Sequence, residues 1–185
     1  MGIIFIFTGK SAVGKSALIR YIRTKYHFKS IHLRNYLVAL MIENEIKDQT
    51  LFAKFMETHL PKLVKSLHKS AGCIIEGVYS PQELQLLKSV FSGDNIVHIH
   101  VDSLSSVRVR RIMKRHTLSE EDATKKMKSS DEYREKIGWD SLNKRSDIKL
   151  VNIGSQRELF ESFEKATKNL PKLTRYVKRS IVRRH

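Results

Sequence analysis

A chain of 185 residues, 41% hydrophobic, has the length for one domain with a substantial core and holds no apolar stretch long enough to span a bilayer. Its single cysteine, Cys73, excludes an internal disulfide and suits a reducing compartment, so a cytoplasmic location is expected. With 35 Lys and Arg against 19 Asp and Glu the net charge is +16, more than one small anionic ligand calls for.

The first element is Ile3–Thr8, an apolar run of buried-strand composition that takes up the extreme N-terminus. No basic n-region precedes it, so no signal peptide is expected, and Ile6 stands where a myristoylation signal has Ser or Thr. Directly after it, Gly9 to Ser16 read GKSAVGKS, a full match to G-x-x-x-x-G-K-[ST]. Ala17, Leu18, Tyr21 and Ile22 follow as an apolar stripe, predicting a helix near Lys15–Lys25. A strand, this loop and a helix form a phosphate-binding loop, in which backbone N–H groups and the helix N-terminus converge on phosphates. Gly9, Lys10, Ser11, Ala12, Val13, Gly14, Lys15, Ser16 and Ala17 are therefore the candidate nucleotide contacts. Lys15 is expected to reach the β- and γ-phosphates of ATP, and the Ser16 hydroxyl to hold Mg²⁺. Gly9 and Gly14 fall where a Cβ would block close approach of the backbone.

Further strands are predicted at Ser30–Leu33, Cys73–Glu76, Ile96–Val101 and Ile148–Val151. Helices are expected near Tyr36–Glu45, Leu51–Lys69, Pro81–Phe91 and Leu104–Arg115, with Ser80 capping the helix that Pro81 opens. Ser155 and Glu158 form a capping-box signature for a last helix ending before Pro171. Alternation of strand and helix predicts an α/β three-layer sandwich around a five-stranded parallel sheet. Residues 116–146 break the pattern: they are dense in charge and poor in aliphatics, with short helices expected from Ser119–Asp122 and over Asp131–Ile137. Such an insertion reads as a closing lid, or as a peripheral helical hairpin that does not move. Cys73, inside an apolar strand, reads as core.

Ligands of an open α/β sheet sit beyond the carboxyl ends of its strands, so the residues there carry the chemistry. Arg34 follows the second strand and is either an anion clamp for the acceptor or a surface residue. Glu76 follows three apolar residues and is placed to order Mg²⁺ or take a hydroxyl proton. Asp102 is expected to cap the following helix. That helix carries Arg108, Arg111 and Arg115 at spacings of three and four, and Arg134 lies in the candidate lid. Phosphoryl transfer needs positive groups around the moving phosphate, and Arg111 and Arg134 are the first choices, with Arg108 and Arg115 as further substrate contacts.

These features together resemble the small P-loop kinases. Besides GKSAVGKS, the resemblance rests on an Arg after strand two, Glu76-Gly77 after strand three, the Arg-rich helix, Ser-Asp-Glu-Tyr-Arg-Glu at 130–135 and Asn152-Ile-Gly-Ser155. It covers residues 1 to about 170, and the branch is nucleoside monophosphate kinase-like, dephospho-CoA kinase-like or adenylate kinase-like. It implies an ATP-dependent phosphotransferase, with adenine near Asn152, Gly154 and Ser155 and a small acceptor, nucleotide or nucleoside in type, facing Arg34 and Glu76. Where dephospho-CoA kinases carry an aspartate after the second strand, this chain has His32-Leu33-Arg34-Asn35, which argues against strict dephospho-CoA kinase activity.

Outside the resemblance lies a basic tail, residues 171–185, with Lys172, Arg175, Lys178, Arg179, Arg183 and Arg184 and no acid. Leu173, Tyr176, Val177 and Ile181 give it an apolar stripe, so it is either a solvated terminal helix or a contact for nucleic acid, an anionic membrane or an acidic partner. A nucleic-acid-associated ATPase or polynucleotide kinase is the reading that this charge favours, and a regulatory nucleotide binder without transfer chemistry is a third. The absence of an Asn-Lys-x-Asp string argues against a GTPase.

Overall fold

The computed structural model describes residues 2–44, 57–60, 62–63, 72–136 and 138–170. The expected helix at Leu51–Lys69 lies mostly outside these residues and the basic tail entirely so, although residues 57–60 and 62–63 are helical. Five strands, β1 (Ile3–Thr8), β2 (Lys29–His32), β3 (Gly72–Glu76), β4 (Asn95–Asp102) and β5 (Ile148–Val151), form one parallel sheet in the order β2-β3-β1-β4-β5. The helices are α1 (Lys15–Tyr26), α2 (Leu33–Glu43), α3 (Pro81–Val90), α4 (Ser105–His116), α5 (Glu120–Lys136), α6 (Trp139–Lys144) and α7 (Gln156–Thr167). Among the described residues, no helix is long and apolar enough to cross a membrane.

All six residues of β1 are buried because β3 and β4 flank it and helices cover both faces. Its side chains alternate between two cores. Ile4 and Ile6 join Leu37, Leu84, Leu87 and Phe91 on one face, while Ile3, Phe5 and Phe7 meet Leu18, Ile22, Leu159 and Phe163 on the other. The predicted Ser155–Glu158 capping box forms, and the predicted cap Ser80 forms one too, with Glu83: each Ser Oγ accepts the Glu N–H and each Glu returns to its cap's N–H.

Three local expectations need correction. β2 ends at His32 and α2 begins at Leu33, not Tyr36, because the His32 ring accepts the Asn35 N–H and caps the helix itself. Asp102 is the last residue of β4 and caps nothing; its Oδ1 accepts from Ser103 N–H, and Leu104 stands at the N-cap of α4. Within the inserted stretch, a single 17-residue helix, α5, replaces the two short ones, and α6 follows it.

Behind the end of β1, the Thr8 hydroxyl lies 2.8 Å from His98 Nε2 and 3.0 Å from His100 Nδ1, all three residues buried. A hydroxyl donates once, so one ring accepts its proton and the other donates to it. Burial holds the His100 imidazole down at about 4, and both rings are neutral struts at the base of the loop.

Candidate active site

The carboxyl ends of β1, β2 and β3 open into a cleft of about 540 Å³. Residues Ser11 to Ala17 form one wall, and His32, Glu76, Gly77 and Tyr79 another. Arg111, Lys114, Arg115 and Arg134 bring positive charge, with Asn152 and Gln156 at the remaining side.

The loop's shape is held by side-chain donors, its own Lys15 and four from neighbouring elements. Its five consecutive carbonyls are each met by a donor. Gly9 O accepts from Lys15 Nζ (2.5 Å) and Arg134 Nη1 (3.2 Å), and Lys10 O from Lys15 Nζ (2.9 Å). Ser11 O accepts from Arg108 Nε (2.9 Å), Ala12 O from Arg111 Nη1 (3.1 Å) and Val13 O from Asn152 Nδ2 (2.7 Å). With the carbonyls occupied by these donors, the N–H groups of the same peptides are left to converge on an anion. Close neighbours also set the glycines: a Cβ on Gly14 would lie 2.2 Å from Asn152 Nδ2, and one on Gly9 would lie 2.3 Å from Val101 O. Ala12 takes φ 62 without being glycine.

Lys15 folds back onto two of those carbonyls. Burial, with Arg134 next in weight, lowers its pKa from 10.5 to about 7, while Glu76 opposes the shift. An arriving phosphate would supply the counter-charge that this ammonium lacks.

The inserted helices are docked on the loop. Arg108 is buried and makes two 2.7 Å hydrogen bonds to Asp131 of α5. Lys10 lies 3.4 Å from Asp131 and 3.5 Å from Glu135, and Ser11 Oγ is 3.3 Å from Ser130 Oγ. Lys10 and Arg108 thus face a separate polar cavity of about 370 Å³ rather than the main cleft. Arg134 lies over Trp139 and Tyr79, at 5.0 and 5.4 Å from the ring centres, and also donates to Ser11 Oγ.

Of the residues singled out in the sequence, Ser11 to Ala17, Glu76, Arg111, Arg115, Arg134 and Asn152 line one cleft. Arg34 is not on its wall: it sits on α2, 3.5 Å from Glu83 and over the Tyr79 ring at 4.8 Å. Gly154 and Ser155 lie outside the wall as well, with Ser155 engaged as the cap of α7. Sequence reasoning missed His32, Tyr79, Lys114 and Gln156. For His32 a signal existed, since it ends a strand beside Glu76 in register. Tyr79 and Gln156 gave none, because loop aromatics and helix glutamines are ordinary.

The model of the "Cytidylate kinase-like family" matches residues 13–146. A shikimate kinase from Bacteroides thetaiotaomicron is similar in fold at TM-score 0.59 and 13% identity, covering 91% of this chain and 98% of that one. A sugar kinase from Janibacter sp. HTCC2649 aligns at TM-score 0.60 and 11% identity, covering 94% and 98%. An uncharacterized protein from Eubacterium ventriosum aligns at 0.61 and 15%, covering 91% and 99%. No curated protein matches significantly.

Proposed function

The chain belongs to the cytidylate kinase-like family, a P-loop small-molecule kinase by fold, and from that premise we propose that it transfers the γ-phosphate of ATP to a small nucleotide- or nucleoside-type acceptor. The observation that carries this reading is the loop from Gly9 to Val13, with every carbonyl turned to a donor and Lys15 poised beside it.

Phosphates enter against the loop's N–H groups, and Lys15 exchanges carbonyl partners for the β- and γ-oxygens. Ser16 and Glu76 both line the cleft and form a donor set of hydroxyl and carboxylate oxygens that suits Mg²⁺. When bound, that ion neutralises charge on the β- and γ-phosphates. Arg111 and Arg134 supply further positive charge to the transferring group, and Tyr79 with Trp139 keeps Arg134 oriented. Glu76 takes the proton of a hydroxyl acceptor. Support for a donor base near Asn152 comes from its buried Oδ1, an acceptor without a partner among the described residues.

Purified protein with ATP and Mg²⁺ is to be assayed for ADP against pyrimidine and purine nucleoside monophosphates, nucleosides, dephospho-CoA and 5′-hydroxyl oligonucleotides. Acceptor-dependent ADP with one of the small acceptors, lost in Lys15→Ala and reduced at least about 100-fold in Glu76→Gln, is expected. ADP formation that no small acceptor stimulates refutes the reading, and stimulation by oligonucleotides alone transfers it to polynucleotide substrates.

A further inference from the structure

We propose that His32 is a specificity-determining residue of the acceptor site, donating its Nε2–H to an acceptor oxygen beside Glu76; this rests on the kinase reading above. Three observations converge on it. His32 ends β2 in parallel register with Glu76 of β3, and both line the main cleft. Its Nδ1 accepts the Asn35 N–H at 3.3 Å, which fixes the tautomer: a nitrogen that accepts carries no proton, so the neutral ring holds its hydrogen on Nε2.

The third observation is the seat of the ring. The His32 imidazole lies against the Cα of Gly77, where a Cβ would come within 2.5 Å of Cε1 and 2.6 Å of Nδ1. Gly77 has φ +80, in the region that favours glycine, so backbone shape and absent side chain together admit the ring. A side chain capped at one nitrogen and packed closely against a glycine is pre-oriented, and it loses little freedom on meeting a ligand.

His32 and Glu76 then divide the work. A neutral imidazole with Nδ1 engaged offers a donor and no free basic nitrogen. Glu76 offers acceptor oxygens only. An acceptor molecule carrying two neighbouring oxygens, one a hydroxyl, satisfies both: the hydroxyl gives its hydrogen to Glu76, and the second oxygen accepts from His32.

Two substitutions separate this role from helix capping. His32→Asn places an amide oxygen where Nδ1 stands and keeps the cap, but lacks a donor at the Nε2 position. His32→Gln reaches the Nε2 position with a donor and loses the cap. With the best acceptor from the panel, His32→Asn is expected to raise acceptor KM about five- to tenfold with ATP KM within about twofold of wild type. His32→Gln is expected to restore acceptor KM while lowering Tm by about 2–4 °C through the lost cap. Acceptor KM unchanged in His32→Asn overturns the proposal, as does an equal rise in both variants, which would make the ring's shape and not its donor the cause. Should wild type show no acceptor-dependent ADP at all, the kinase reading and this inference fall together; a failure confined to the variants removes only the inference.

Discussion

Removing the Asp131 carboxylate is expected to be the costliest single change on the surface of α5. Arg108 has a side chain only 3% exposed, and its partner's is 14% exposed, with both guanidinium Nη atoms 2.7 Å from carboxylate oxygens. Asp131→Ala leaves those two donors buried without their acceptor, while Nε keeps Ser11 O. Breaking one side of such a pair costs about 3–5 kcal/mol, and the surviving Nε bond places this case near about 3. For a chain of this size that is a fall in Tm of roughly 6–12 °C. Thermal unfolding followed by circular dichroism measures it, with Glu161→Ala as the control. The Glu161 pair with Arg157 lies open to solvent, and its loss should scarcely move Tm. Acid titration gives a second readout. Burial alone would raise the Asp131 carboxyl, but hydrogen bonds from Arg108 and the charge of Lys10 bring it below 3.8. Its contribution is therefore present above pH 3.8 and lost as pH falls through the lower folded value, and Asp131→Ala removes that part of the acid loss. A variant with unchanged Tm refutes the buried-pair argument.

Lys15 gives a pH slope of the same sign in a higher window. With a folded pKa of about 7 against 10.5 in an exposed lysine, unfolding takes up a proton between those values, so nucleotide-free stability gains from pH 7 upward. Lys15→Met should abolish that component of the slope in paired Tm–pH curves. ATP binding above pH 7 should be accompanied by proton uptake, seen calorimetrically as a dependence on buffer ionisation enthalpy; no such dependence would count against a depressed lysine. Gly14→Ala drives a Cβ to 2.2 Å from Asn152 Nδ2 at a residue with φ +107, displacing the strut on Val13 O. It should weaken ATP binding at least about tenfold by the same calorimetry, with strain of about 1–3 kcal/mol visible in Tm.

The strand, loop and first helix were legible because their information is local: an apolar run, two glycines at fixed spacing and a helical stripe. The sheet followed from alternation. The start of α2 was not legible, since His32 caps through a ring nitrogen instead of a Ser, Thr, Asp or Asn side chain. Nor was the unbroken α5, whose buried residues are only Ala123, Met127 and Arg134, too sparse to show a period. Arg108 and Arg111 share a face in the sequence, and both were expected at the phosphates or substrate, with Arg111 the first choice. What divides them is Asp131, 23 residues further on, a contact that no local spacing encodes.

The arginines that clasp the loop's carbonyls alter how any loss-of-activity scan of this enzyme class must be interpreted here. Deleting Arg111 or Arg134 removes a charge from the cleft and, in the same stroke, a hydrogen bond that holds the bend of the loop. A dead variant at either position would confound chemistry with architecture. Guanidinium added back in solution can restore the lost charge, but it cannot splint a slackened backbone, and that asymmetry separates the two causes.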